Sequence, residues 1–300
     1  MKLVCIVGPT SSGKTDIAVA VARSVGGEVL SADSRQVYRG LDLGSGKATK
    51  EEMRGVPHHM LDVADPKESY TAADFVRDGS NALQAIRSRG TVPIIAGGTG
   101  FYIDALLKRV SLANVPPDAS LREELGKKTL KELQKILETD DPERYATIDV
   151  NNPRRLVRAI EIASANTEDR PLCNTEVGPL CDVVWIGLAV PSNELREKIR
   201  VRLKERLARG MLEEAKRLHE EGVSYERMEA LGLEYRYMAR HLSGTLTYEE
   251  MSDELFREIV KYAKRQMTWF KKNEHITWFS PTDVEKIIQH ARAFIQTKAG

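Results

Sequence analysis

The stretch Gly8-Pro9-Thr10-Ser11-Ser12-Gly13-Lys14-Thr15 decides how this chain folds. It follows the apolar run Leu3-Val4-Cys5-Ile6-Val7 and leads into a helix-forming segment from Ile17 to Ala22. The spacing G-x4-G-K-(S/T) thus lies in the strand, loop and helix setting that a phosphate-binding loop needs. Glycines at both ends let the loop curl, so that successive N–H groups face a polyphosphate at the positive end of a helix. Lys14 supplies a mobile point charge, and a hydroxyl at Thr15 is the usual protein ligand of a phosphate-bound Mg²⁺. A chance match is expected in roughly one chain in a hundred of this length. Gly8, Thr10, Ser11, Ser12, Gly13, Lys14 and Thr15 are therefore the expected phosphate-binding residues, although the loop does not name a reaction.

The chain around this loop is ordinary in composition. Three hundred residues with 41% apolar content suffice for a full core and suggest about two domains. Forty-five basic and 44 acidic residues nearly cancel, so only local clustering can point to a nucleic-acid partner. Cys5, Cys173 and Cys181 form no C-x2-C pair, which fits a reducing compartment and gives no structural zinc site. Five apolar residues precede Gly8, too few for a signal peptide, and no run approaches a membrane span. The expectation is a cytoplasmic protein without membrane contact, working as a monomer.

Beyond the first helix, Glu28 to Ser31 reads as a second strand delivering Ala32-Asp33-Ser34-Arg35-Gln36-Val37-Tyr38 to the sheet edge that carries the loop. Asp33 is a candidate for chemistry beside the phosphates, or a cap for the next turn. His58 and His59 would point to opposite sides of an extended chain, which favours structural hydrogen bonds over a metal pair. A helix opening at Thr71 packs by its apolar face. Val92 to Ala96 is a strand ending in Gly97-Gly98-Thr99-Gly100, where many nucleoside triphosphatases carry a magnesium-holding Asp. That departure disfavours simple ATP hydrolysis. It predicts a close backbone approach to a second ligand, with Thr99 as a hydroxyl contact.

From Ser120 to about Asn166 the pattern is helical only, with a capping box predicted at Ser120 and Glu123 and with Arg154, Arg155 and Arg158 outside a third helix. The apolar run from Val183 to Val190 returns the chain to the sheet. A long helix from about Ser192 carries Arg202 beside its apolar stripe. A later one carries Arg257, Lys261, Lys264, Arg265, Lys271 and Lys272, interleaved with Gln266, Trp269 and Phe270, which suits a nucleic-acid surface. The fold class is α/β, a P-loop NTPase-like core with a mainly parallel sheet and a helical insertion domain. Residues 1–115 form the first part of the core, 116–180 the insertion and 181–300 the second part with its basic helix.

Four segments taken in order extend the reading: Gly8 to Thr15, Ser31 to Tyr38, Ile95-Ala96-Gly97-Gly98-Thr99-Gly100-Phe101-Tyr102, and Tyr262-Ala263-Lys264-Arg265-Gln266-Met267-Thr268-Trp269-Phe270. With Pro57-His58-His59, Asn152-Pro153-Arg154-Arg155-Leu156 and Ala230-Leu231-Gly232, they make a chain that resembles the bacterial tRNA dimethylallyltransferase (tRNA isopentenyltransferase) family over nearly its whole length. The resemblance implies transfer of a dimethylallyl group from dimethylallyl diphosphate to N6 of the adenosine 3′ of the anticodon, with release of diphosphate. It implies that the phosphate loop holds the prenyl diphosphate, that Lys14, Arg202 and a Mg²⁺ on Thr15 neutralise the leaving group, and that Asp33 takes the N6 proton. Thr99 corresponds to a catalytic threonine near the flipped adenine. Asp33, Ser34, Arg35, Gln36 and Thr99, with Arg122, Arg154, Arg155, Arg158, Lys264 and Arg265, would contact the tRNA anticodon stem-loop.

One departure stands out. Gly232-Leu233-Glu234-Tyr235 replaces the family's usual Gly-Tyr-(Arg/Lys)-(Gln/Glu), and no role is assigned to that segment. The C-terminal zinc finger of some eukaryotic relatives is absent. Rival readings are a P-loop kinase using ATP on a small molecule, a prenyltransferase acting on free adenine nucleotides, and a regulatory nucleotide-binding module that docks RNA.

Overall fold

The computed structural model describes residues 2–110, 112–113, 115–165 and 182–297. Cys173 lies outside them, as does Cys181. The chain divides into two compact units, residues 1–110 with 179–300, and residues 111–178. In the first unit β1 (Lys2–Val7), α1 (Lys14–Val25), β2 (Gly27–Ser31), α2 (Lys50–Met53), β3 (His58–His59), α3 (Ala72–Ser88), β4 (Val92–Gly97) and α4 (Gly100–Leu106) precede the second unit. The second unit holds α5 (Ala119–Gly126), α6 (Leu130–Asp140), α7 (Pro142–Thr147) and α8 (Pro153–Ser164). The first then resumes with β5 (Asp182–Leu188), α9 (Ser192–Ala208), α10 (Met211–Glu220), α11 (Tyr225–Leu231), α12 (Leu233–Leu242), α13 (Tyr248–Phe270), β6 (Ile276–Phe279) and α14 (Val284–Gln296).

Six strands pair in parallel in the order β3-β2-β4-β1-β5-β6. This is a P-loop NTPase-like sheet. Side chains alternate across it: Leu3, Cys5 and Val7 enter one core with Leu30, Ile95 and Trp185, whereas Val4 and Ile6 enter the other with Ile17, Ile94 and Ile186. The second face is closed by α1 and α14, where Ile287 and Ala291 are fully buried. Lys2 fixes the far end of α14 by donating to the Phe294 carbonyl at 2.8 Å. In α14 the apolar residues Val284, Ile287, Ile288, Ala291, Phe294 and Ile295 recur at helical spacing, whereas β6 has no strong sequence signature. A four-residue strand at a sheet edge is too short to show a period.

Register matters most for function. Val7 lies opposite Gly97 and Ser31 opposite Ala96, so β1, β2 and β4 end at one level. Their following loops open on the same edge, as strands joined by crossover helices require.

Two local expectations need correcting. The predicted capping box at Ser120 and Glu123 does not form. Asp118 is the N-cap of α5, its carboxylate accepting from the N–H groups of Ser120 (2.9 Å) and Leu121 (3.0 Å). A carboxylate two residues upstream outcompetes a hydroxyl that is already inside the helix, and Glu123 pairs with Lys127 instead. The segment 232–235, to which no role is assigned from sequence, is part of the packed core. Only Gly232 separates α11 from α12, and Tyr235 behind it is buried to 1% exposure.

The two histidines behave as hydrogen-bonding groups. His58 Nδ1 bonds the Val56 carbonyl at 2.9 Å, and His59 Nε2 bonds Glu28 at 2.6 Å. Glu28 is 5% exposed and also accepts a bidentate pair from Arg89 (2.9 and 2.7 Å) and the Thr91 hydroxyl (2.8 Å). The Arg89 guanidinium, helped by His59 and Thr91, holds the Glu28 carboxyl down at about 2. A carboxyl lowered on folding stabilises the protein above its unfolded value, near 4.5, and loses that contribution as pH falls toward 2. The expected outcome is that Glu28→Gln costs about 3 kcal/mol at pH 7, on the scale of the shift. In urea unfolding the gap to wild type should narrow steadily below pH 4.5; a gap constant from pH 7 to pH 3.5 would contradict this assignment.

Candidate active site at the C-terminal edge of the sheet

The loop after β1 is shaped by backbone conformations that its sequence permits. Ser11 (φ 61°) and Gly13 (φ 86°) are both left-handed, and α1 starts at Lys14. Residues Thr10 to Thr15 line a cavity of about 1070 Å³. Gly8 lies behind them, where a Cβ would stand 3.0 Å from Ser12 Oγ and 3.1 Å from the Leu188 carbonyl. Ser12 is 1% exposed, and its hydroxyl has no partner among the described residues. Lys14 is folded onto its own loop, donating to the Pro9 carbonyl at 2.7 Å.

Asp33 reaches the same cavity from the end of β2, with Ser34, Arg35 and Gln36 beside it. Both sequence readings of Asp33 hold at once. Its Oδ1 caps the turn, accepting from Arg35 N–H (2.8 Å) and Gln36 N–H (3.4 Å), while the side chain lines the cavity. Oδ2 takes no hydrogen bond from the described residues. Thr99 also has a role within the protein. Its hydroxyl accepts the Ser34 N–H at 3.1 Å, and its own N–H donates to the Ala32 carbonyl at 3.2 Å, so it braces the Asp33 turn.

The glycines around it are likewise demanded by the protein itself. A Cβ on Gly97 would lie 2.1 Å from the Ala32 carbonyl, one on Gly98 2.2 Å from Gln266 Nε2, and one on Gly100 2.3 Å from the Trp269 ring. The backbone at these glycines is thus closely approached by the end of β2 at Gly97 and by α13 at Gly98 and Gly100.

The opposite wall is α9. Glu194, Lys198, Arg202, Glu205, Arg206 and Arg209 recur at helical spacing on its cavity side, with Leu195, Ile199 and Leu203 turned into the core. Arg202 donates to the Gly46 carbonyl at 3.2 Å, and Arg206, 9% exposed, lies 3.7 Å from Glu234. Burial pulls the Lys14 ammonium down to about 8, against the Asp33 charge and with help from Arg202. Burial, then the neighbouring Arg206, also lowers Arg202. Tyr262 on α13 sits in the same wall, its phenol pushed up by burial and then by Asp33. Two cations and a carboxylate thus feel one another across a space that is fit for an anion.

Gln266 ties the walls together and carried no individual sequence signal beyond its place among aromatics. It is 6% exposed; its Oε1 accepts the Thr10 N–H at 2.8 Å and its Nε2 donates to the Gly98 carbonyl at 2.9 Å. Arg265 lines the cavity next to it, whereas Lys264 is exposed outside.

In the second unit the four arginines expected to contact tRNA divide into two pairs. Glu161, 3% exposed, accepts a bidentate pair from Arg122 (2.6 and 2.9 Å) and one bond from Arg158 (3.0 Å), which also donates to the Val115 carbonyl at 2.7 Å. Arg154 and Arg155 are exposed at the start of α8.

Comparison with known proteins places this arrangement. A family model described as IPP transferase matches residues 36–273. A tRNA dimethylallyltransferase 2 of Treponema denticola is 44% identical over 275 residues, 90% of this chain and 92% of that protein. The full-length tRNA isopentenylpyrophosphate transferase of Bacillus halodurans superposes with a TM-score of 0.74 at 36% identity, covering 98% of this chain and 97% of that one. A eukaryotic dimethylallyltransferase acting on tRNA gives 0.79 at 25% identity, over 97% and 77%. The chain belongs to the tRNA dimethylallyltransferase (IPP transferase) family.

Proposed function

We propose that this enzyme transfers the dimethylallyl group of dimethylallyl diphosphate to N6 of the adenosine 3′ of the anticodon in tRNA, in the cytoplasm. The observation that carries the reading is the meeting of Lys14, Asp33 and Arg202 around one cavity of about 1070 Å³ in a member of this family. That space exceeds what a prenyl diphosphate fills and leaves room for an extruded nucleotide beside it.

The exocyclic nitrogen attacks C1 of the allyl group as the C1–O bond breaks and diphosphate departs. Oδ2 of Asp33 accepts the N6 proton while Oδ1 stays committed to the turn, and Thr99 keeps that turn in place. Lys14, Arg202 and the loop N–H groups of Ser11 to Thr15 stabilise the negative charge gathering on the leaving group. The donor set also fits Mg²⁺ carried by the substrate. No cluster of three acidic, His or Cys ligands exists among the described residues, whereas Thr15 opens the cavity at a helix N-terminus. When bound, Mg²⁺ supplies further charge neutralisation to the diphosphate.

Of the four candidate arginines of the second unit, Arg154 and Arg155 are the two with no carboxylate partner among the described residues and are proposed to meet anticodon-stem phosphates. Arg122 and Arg158 act by holding Glu161 in that unit's own fold.

Label from dimethylallyl diphosphate should enter unmodified tRNA, and Asp33→Asn should lower turnover by about two to four orders of magnitude with tRNA affinity near wild type. ATP consumption without label transfer would instead support a kinase, and label entering only free AMP, ADP or ATP would redirect the acceptor. Because Lys14 lies near 8 in the free enzyme, the advantage of wild type over Lys14→Met in affinity for inorganic diphosphate should shrink between pH 7 and 9, the ligand's own ionisation being common to both; parallel profiles would remove Lys14 from the binding step. Replacing Arg154 and Arg155 with Ala should lower the salt slope of tRNA binding by about two and leave the melting temperature unchanged, whereas Arg122→Ala should chiefly lower the melting temperature. The reverse pattern would exchange the roles of the two pairs.

A further inference from the structure

Residues 42–47 pass the cavity without regular structure, yet side chains from three helices hold their backbone. Glu214 on α10 is 4% exposed and accepts the N–H groups of Asp42 (3.1 Å), Leu43 (2.8 Å) and Gly44 (2.8 Å). The phenol of Tyr235 on α12 donates to the same carboxylate at 2.6 Å. Arg206 on α9 donates to the carbonyls of Leu43 and Gly44. Gly44 has no side chain because the Tyr235 ring occupies its place; a Cβ would lie 2.3 Å from ring atoms. A buried carboxylate with four donors leaves this turn little freedom, since any shift strands a buried polar group.

The far end of the turn meets the cavity. Gly46 (φ 63°) presents its carbonyl to Arg202 Nη2 at 3.2 Å and to Gln36 Nε2 at 3.3 Å. A Cβ on Gly46 would lie 2.5 Å from Arg202 Nη2. Arg202 is a long side chain that feels the Asp33 charge and is felt by Lys14. Without this carbonyl it could take many rotamers, and fixing it only on substrate binding would weaken each interaction it makes there.

We propose that residues 42–47 are a positioning element for Arg202: Glu214 and Tyr235 fix the turn at Gly44, and the Gly46 carbonyl aims the guanidinium at the departing diphosphate. Glu214 and Tyr235, outside the cavity lining, and Gly46, on its wall, are positioning residues that act through Arg202. The proposal rests on the reading of Arg202 as a diphosphate contact.

The test is a double-mutant cycle between Gly46→Ala and Arg202→Ala, reading inorganic diphosphate affinity by calorimetry with Mg²⁺ present and kcat/KM for dimethylallyl diphosphate. The added methyl presses on the flexible end of Arg202. Arg202→Ala should weaken diphosphate binding about tenfold and Gly46→Ala about three- to tenfold, with the double variant no weaker than Arg202→Ala alone. Tyr235→Phe, which keeps the ring against Gly44, should cost about two- to fivefold in wild type and nothing in the Arg202→Ala background. Costs that multiply would overturn the positioning role while leaving Arg202 as a contact. Wild-type diphosphate affinity in Arg202→Ala would overturn the contact itself and the proposal with it. Should Gly46→Ala fail to fold, the Tyr235→Phe cycle decides by the same criteria.

Discussion

A single buried carboxamide joins the two loops on which this site depends. Gln266 accepts from Thr10 with one atom and donates to Gly98 with the other, so the loop after β1 and the end of β4 are held at a fixed separation. Neither loop could set that distance alone. Each is a run of glycines and small polar residues with little intrinsic preference, and a parallel sheet aligns only the strand ends. The constraint propagates outward: because Gln266 and Trp269 of α13 press onto Gly98 and Gly100, the loop after β4 has no room for side chains at those two positions. The Thr99 hydroxyl is then left facing Ser34, where it steadies the turn that carries Asp33.

Assembling a receptor for a diphosphate requires cations close together before the anion arrives, and like charges resist that. The protein answers with backbone carbonyls. Lys14 rests on Pro9, Arg202 on Gly46, and Arg206 on Leu43 and Gly44. Asp33 and Glu234 supply negative charge nearby. Burial is the main reason Lys14 falls to about 8, with Asp33 opposing the fall and Arg202 adding to it. An anion entering the cavity would relieve the repulsion between the cations, which is the electrostatic sense in which the site is prepared for its ligand.

Arginine in this chain illustrates how little a charge cluster says in isolation. Arg154, Arg155 and Arg158 look equivalent along α8, but the helix puts Glu161 one turn beyond Arg158, and the fold brings Arg122 to the same carboxylate. Two of the four candidate cations thereby become partners of a buried carboxylate while keeping part of their own side chains exposed.

The phosphate loop, the parallel α/β class, the helical insertion and the delivery of Asp33 to the loop's edge of the sheet could be read from the sequence, whereas the family resemblance singles out Arg202. The first four rest on local patterning: glycine spacing that fixes backbone conformation, apolar runs of strand length, and helical periodicity beside them. What the tertiary structure alone decided were the partners. Gln266, Glu214 and Tyr235 bond to groups 256, 170 and 21 residues away in the chain. No local pattern encodes such distances, and the same residues read as unremarkable polar positions on helices. The glycines at 44, 46, 97 and 98 belong to both levels. Their presence is visible in the sequence, but only packing shows that a carbonyl, a guanidinium, a phenol or a carboxamide occupies the space their side chains would need.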